Sequence, residues 1–259
     1  MTTMLNILVC VKRVPATGGK IDLTADAQAI DTRFLRYTIS PHEECAAEEA
    51  LRLTELYGGT TTALTLGPAD ASEQLRDLLA MGIGRAILLE TDGREWDPSA
   101  TAGAIVDMVR GQATGDAFHL LLLGNEAADT GDYQVGVRVA HALDWPCVTG
   151  VKALEITGQT AIAKREIAGG WEIFEVTLPA VITVKEGINL PRYPSVPGRL
   201  RAKKKPIEQI QPVWPGNRLE KVRLLIPPTQ ESQVEILGHG PAAAAKVVEL
   251  LQKLGRLSA

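Results

Sequence analysis

Four short aliphatic runs, at residues 7–11, 61–66, 86–89 and 119–123, alternate with stretches of helical periodicity through the first 150 residues. This alternation constrains the fold more than any other feature. Such runs read as buried strands, and helices between them are the expected crossovers of a parallel sheet covered on both faces. Aromatic residues make up only 4% of the 259-residue chain, so the core must be built from Leu, Val, Ile and Ala, a composition suited to helices packed on such a sheet. At 45% hydrophobic content the chain can bury a large core, which excludes disorder throughout.

The helix boundaries are legible. Ser40 is placed as an N-cap, Pro41 as the first helical residue, and Glu43 and Glu44 as first-turn carboxylates; Ala47, Ala50, Leu51 and Leu53 form the apolar face. A second helix over residues 71–81 ends at Gly82, a third covers about 100–110, and a fourth about 133–143, stopping before Trp145-Pro146. After Val148 the texture changes to alternating strands with turns at Gly158-Gln159 and Gly169-Gly170, an antiparallel meander. From Ile188 periodic signals are few until a terminal helix beginning at Pro241. The expected class is α/β: a doubly wound, mostly parallel sheet in a domain over 1–187 that includes the meander, followed by a loop and C-terminal arm over 188–259.

Composition and motif content exclude several functions. Cys10, Cys45 and Cys147 are scattered without the close pairing of zinc or redox motifs, which fits a reducing compartment. No segment approaches the roughly 18 consecutive apolar residues of a membrane span, and the start lacks a charged leader, so a cytoplasmic protein without membrane insertion is expected. His42, His119, His141 and His239 lack metal-ligand spacing, no G-x-S-x-G elbow occurs, and Gly18-Gly19-Lys20 lacks the rest of a Walker A loop. His119 reads as structural. Glu48-Glu49 reads as a pair of exposed-face carboxylates. Without catalytic residues, a carrier or scaffold is favoured over an enzyme.

In doubly wound sheets ligands bind beyond the carboxyl ends of the strands, with phosphates near helix N-termini. Four segments qualify: residues 10–14, the helix start at 40–43, Gly67-Pro68, and "GNEAADTGDYQVG" at 124–136. The last can present backbone N–H groups to a phosphate, with Thr130 and Gln134 as side-chain donors. It reads equally as a strand-to-helix turn capped by Asp132.

The stretch "NLPRYPSVPGRLRAKKKPIE" sets Pro191, Pro194 and Pro197 ahead of five cations within residues 199–205, in a chain of formal net charge -4. The prolines predict an extended loop outside any central sheet. A basic cluster on an acidic chain is a weak nucleic-acid footprint. It is better read as something held out for a partner.

"VCVKRVP", "PHEECAAEEALRL", "LAMGIGRAILLE" and "KREIAGGWEIFEVTLPAVITVKEGINLPRYPSVPGRLRAKKKPIE" together resemble, in order and spacing, the β subunit of electron-transfer flavoprotein. The resemblance implies an adenine-nucleotide-binding α/β domain whose C-terminal arm embraces an α subunit. That α subunit carries a redox-active FAD and passes electrons from flavin dehydrogenases to a quinone oxidoreductase or another acceptor. It also implies a structural AMP in this chain. Matched by motif, the site would comprise Cys10, Ser40, Pro41, His42, Glu43, Leu66, and the loop Gly124, Asn125, Glu126, Ala127, Ala128, Asp129, Thr130, Gly131, Asp132, Tyr133, Gln134 and Val135.

Many relatives have Asn-Pro-Phe where this chain has Ser40-Pro41-His42, and AMP-binding relatives have Asn-Gln-Thr-Gly where it has Tyr133-Gln134-Val135-Gly136. Gln-Val-Gly is closer to relatives that hold a second FAD here and bifurcate electron pairs. Pro191, Arg192, Tyr193, Pro194, Ser195, Val196 and Pro197 match the family's partner-recognition loop, with Val196 at the position of its usual Leu anchor. The competing readings are a bifurcating subunit with FAD in place of AMP, a stand-alone adenine-nucleotide enzyme, and a nucleic-acid binder working through Lys203, Lys204 and Lys205.

Overall fold

Strand β1 (Leu5–Val11) lies in the interior of a nine-stranded sheet, and its alternation explains how both faces are covered. Leu5, Ile7, Val9 and Val11 pack into one apolar cluster with residues of α1 (Pro41–Tyr57) and α2 (Ser72–Met81). Leu8 and Cys10 point the other way, into a second cluster with α3 (Pro98–Arg110) and α4 (Val135–Leu143). Successive strand side chains face opposite sides, so a continuous apolar run serves two helical layers at once. Each fully buried Leu or Ile contributes roughly 1.5–3 kcal/mol of apolar transfer.

The computed structural model describes residues 4–16, 18, 21–112, 117–228 and 234–257; Gly19 and Lys20 of the incomplete phosphate-loop sequence lie outside them. The remaining strands are β2 (Arg13–Pro15), β3 (Tyr37–Ile39), β4 (Gly59–Gly67), β5 (Arg85–Glu90), β6 (Leu120–Gly124), β7 (Cys147–Thr157), β8 (Thr160–Ile167), β9 (Gly170–Thr177), β10 (Ala180–Val184) and β11 (Glu208–Ile210). The order in the large sheet is β11-β5-β4-β1-β6-β10-β7-β8-β9, while β2 and β3 form a separate antiparallel pair. Pairing is parallel from β11 to β7 and antiparallel from β7 to β9, so the meander extends the main sheet. The expected α/β architecture stands: doubly wound and mostly parallel, with an antiparallel extension.

The prolines and glycines act as punctuation. Pro41 opens α1, and Gly82 closes α2 at φ 132, a backbone conformation that a residue with a Cβ rarely adopts. Asp97 caps α3, accepting from the Ala100 N–H at 2.7 Å.

The region after Ile188 is more ordered than its weak periodicity predicts. A short helix, α5 (Val196–Lys204), packs on α2, and β11 adds a parallel edge strand beside β5. The cations at 199–205 therefore lie on and just beyond a helix. The chain divides into two compact units, Met1–Val222 and Arg223–Ala259, and residues 188–222, grouped by sequence with the arm, pack within the first. The second unit contains α6 (Ala244–Lys253), none of whose residues is buried.

Candidate functional site

From β1 the chain passes through α1 to β4 on one side, and after β5 and α3 it returns to β6 on the other. The carboxyl ends of β1 and β6 thus diverge at the switch point of the sheet, where open α/β folds bind ligands. The N-terminus of α1 and the loop 125–134 meet there.

Asn125 is fixed at the base of that loop. Its N–H donates to Val184 O at 2.8 Å, and its side-chain oxygen accepts from Thr183 Oγ1 at 2.9 Å. Thr183 in turn accepts the Gly150 N–H at 3.1 Å. Beyond Asn125, Lys12 spans the cleft, pairing with Asp129 at 2.7 Å and reaching Thr130 Oγ1 at 3.5 Å. His42 Nε2 lies 3.8 Å from Glu126 Oε1. Glu43, at 6% exposure, accepts the Lys12 backbone N–H at 2.9 Å. Burial outweighs that bond and pushes the Glu43 carboxyl up to about 8.

The loop does not end as a capped turn. Tyr133 adopts φ 57, a left-handed conformation incompatible with a first helical turn, so α4 begins at Val135 with Gln134 in the cap position. Asp132 is therefore not the cap, and Gln134 supplies no capping side-chain bond either. Its Oε1 instead accepts from Arg138 Nε and Nη2 at 3.1 and 2.8 Å. The first N–H groups of α4 are left without an intrahelical acceptor, a setting that favours an anion. Gly136 brings this turn against β10, since a Cβ there would lie 2.6 Å from Thr183 Cγ2.

The other sequence-nominated positions divide into two groups. Cys10 is buried in the core, and burial, then the neighbouring Glu43 charge, pushes its thiol far up. Leu66 is partly buried against the same cluster, and Pro41 is exposed. Ser40 Oγ and His42 Nδ1 are buried without a hydrogen-bond partner beside the α1 N-terminus. These two orphaned atoms, with the uncapped α4 turn, fit a ligand carrying both hydrogen-bonding and anionic groups, as an adenine nucleotide does. Lys12 falls within the nominated segment 10–14; Arg138 was not singled out by motif and lies one turn beyond Gln134, an i, i+4 spacing that places them on one face. His119 is structural as expected, its Nδ1 accepting the Asn6 N–H at 3.0 Å.

A second exposed feature lies on the loop between β10 and α5. Ser195 caps α5, accepting the Gly198 N–H at 3.1 Å. Leu190, Tyr193, Val196 and Leu200 are 91%, 88%, 73% and 60% exposed. Arg199 stands over the Tyr193 ring at 5.6 Å, and Arg201 and Lys203 follow on the same short helix. Apolar side chains rimmed by cations suit an acidic protein partner.

The acids of α1 require a correction. Glu48 and Glu49 are 5% and 3% exposed, not on a solvent face. Glu48 accepts from Arg192 Nε at 2.9 Å, and Glu49 from Asn189 Nδ2 at 2.9 Å. Among the described residues no cluster of acids, Cys and His can hold a metal, and no helix is long and apolar enough to cross a membrane.

Residues 29–213 match the family described as "Electron transfer flavoprotein domain". Across nearly the whole chain, the protein is similar to curated proteins named "Electron transfer flavoprotein subunit beta". The Bacillus subtilis (strain 168) protein is 36% identical over 257 residues, covering 96% of this chain and 98% of the relative. The Syntrophomonas wolfei protein is 33% identical, covering 96% of each, and the Homo sapiens protein is 33% identical, covering 98% of this chain and 99% of the relative.

Proposed function

The chain belongs to the electron transfer flavoprotein β-subunit family, and from that premise we propose that it is the non-catalytic half of a heterodimeric electron carrier. Its partner is an electron-transfer flavoprotein α subunit holding the redox-active FAD. The complex takes electrons from flavin dehydrogenases and delivers them to a quinone oxidoreductase or another acceptor, in the cytoplasm. The near-full-length likeness to β subunits from bacteria and human carries this reading.

In this reading the switch-point cleft holds an AMP with a structural role. The orphaned Ser40 Oγ and His42 Nδ1 offer hydrogen bonds to its polar edges. The open first turn of α4 and Arg138, which is now bonded to Gln134, would hold its phosphate. Asn125, tied to β10, holds the loop at the right height. FAD in the α subunit supplies the one- and two-electron chemistry; this chain sets distance and environment around it.

A second reading has one specific support. Val135 stands at the first position of α4, and the Gln134-Val135-Gly136 sequence resembles that of relatives with a second, redox-active FAD in this cleft and a bifurcating complex. Co-purifying the chain with its α partner, denaturing the complex and quantifying the released nucleotides separates the two. One FAD and one AMP per heterodimer supports the simple carrier; two FAD and no AMP supports bifurcation. Release of FAD alone, one per heterodimer, would remove the nucleotide role assigned to the cleft.

The exposed surface made by Leu190, Tyr193, Val196 and Leu200 is assigned to dehydrogenase docking, with Val196 as the apolar anchor. Pro191, Pro194 and Pro197 limit the chain entropy lost on docking, and the α5 cations raise the encounter rate with acidic surfaces.

A further inference from the structure

Cys45, Glu48, Glu49, Arg52 and Glu55 recur on α1 at spacings of three and four residues, which puts them on one face of the helix. Such a stripe would ordinarily be solvated. Here Glu48 and Glu49 are buried, and the segment leading into the docking surface lies over them. Asn189 Nδ2 donates to Cys45 O at 3.0 Å and to Glu49 Oε2 at 2.9 Å, while Arg52 Nη1 donates to the same Glu49 oxygen at 3.1 Å.

Three residues on, Arg192 is held from two sides. Its backbone N–H and Nε donate to Glu48 Oε2 at 3.0 and 2.9 Å, and its Nη2 to Glu48 Oε1 at 3.0 Å. Nη1 and Nη2 also reach Glu55 Oε1 and Oε2 at 2.6 and 3.0 Å. Both carboxylates therefore grip one planar guanidinium, and Glu48 also fixes the backbone beneath it.

The far end of the segment is fixed as well. Arg76 of α2 donates to Ala202 O at 2.6 Å and to Lys205 O, and Lys205 Nζ donates to Ile83 O at 3.0 Å. Between these anchors the apolar side chains at 190, 193, 196 and 200 project outward. A buried carboxylate destabilises the fold unless it is paired, and an apolar residue of similar volume would pack there at no such cost. Two adjacent buried acids, each bonded to the same short segment, serve geometry better than they serve stability.

We propose that Glu48 and Glu49 of α1 are positioning residues for partner docking: through Arg192 and Asn189 they seat the root of the 190–200 surface so that the anchor meets its partner already in place. This rests on the docking role assigned to that surface. A loose root would leave only a fraction of molecules competent, and the apparent affinity for the dehydrogenase would fall by that fraction.

The test uses the FAD-loaded heterodimer and, as probe, one flavin dehydrogenase that reduces the wild-type complex. Glu48→Gln should raise the KM for that dehydrogenase, roughly tenfold if a tenth of molecules remain seated. Its kcat and FAD content should stay at the wild-type level, while backbone amides at 192–195 exchange faster with deuterium. A purely structural loss would lower the yield of FAD-loaded heterodimer without moving the KM of the survivors. If Glu48→Gln fails to assemble, Glu55→Gln decides, because it loosens the same guanidinium from its exposed side. Val196→Ala is the control for the docking role. An unchanged KM in the glutamate variants with a raised KM in Val196→Ala overturns the positioning role alone; an unchanged KM in Val196→Ala removes the docking assignment and the positioning role with it.

Discussion

The backbone N–H of Lys12 donates to the buried carboxyl of Glu43 at 2.9 Å, joining the end of β1 to the first turn of α1 at the mouth of the cleft. The carboxyl sits where a helix dipole favours negative charge, yet burial dominates.

That balance gives a pH signature. The Glu43 carboxyl is raised from 4.5 to about 8, so the folded state holds its proton more tightly than the unfolded chain does. Its stabilising contribution is complete below the unfolded value and is lost as pH rises through the folded one. Stability should therefore fall with rising pH on account of this group, from about pH 5 until pH has passed the folded value. Urea midpoints at pH 5.5 and 8.5 should differ less in Glu43→Gln than in the wild type; an equal difference would show that Glu43 does not control the slope.

Asp97 binds two pieces of chain at once. Oδ1 caps α3 through Ala100, and Oδ2 accepts the N–H groups of Arg218 and Leu219 at 2.6 and 3.2 Å. Asp97→Ala should cost about 0.5–2 kcal/mol for the cap, with a further loss for the two freed donors. Cleavage by trypsin after Arg218 should accelerate in this variant, and a wild-type digestion rate would show that residues 218–219 are held by other contacts.

Gly198 lets α5 lie against α2, because a Cβ there would stand 2.6 Å from Ala80 O. The obstacle is backbone and cannot rotate away, so Gly198→Ala should destabilise by about 1–3 kcal/mol. A thermal midpoint within a degree of the wild type would contradict the close packing of these helices.

Val196 presents a smaller apolar surface than Leu at an exposed helix start. Adding one methylene with Val196→Leu should gain about 0.8 kcal/mol of burial on docking, roughly a fourfold lower KM for a dehydrogenase. Stopped-flow reduction of the α-subunit flavin over a range of dehydrogenase concentrations measures this directly, and a higher KM would mean that the partner pocket is shaped for Val.

Read alone, the sequence determined four parallel strands of the sheet, its antiparallel extension and most of the helices, because these depend on periodicity and on single punctuating residues; the parallel insertion of β10 and the edge strand β11 were not legible in it. The runs at 7–11, 61–66, 86–89 and 119–123 read as buried strands, and Pro41 and Gly82 mark the start of α1 and the end of α2. The cleft too was legible in outline, since it follows from where doubly wound strands end. Tertiary structure decided what depends on distant partners. The Glu48 and Glu49 pair reads as solvated until Arg192 and Asn189, more than a hundred residues away, are laid across it. The Asp132 cap failed because Tyr133 takes a left-handed conformation that no local pattern signals, and α5 has almost no amphipathic pattern because it is held by Arg76 and the backbone of α2 rather than by an apolar face of its own. Local spacing specifies a helix or a strand; only three-dimensional contact tells a buried charge from an exposed one, because the free energy that decides between them lies in the partner.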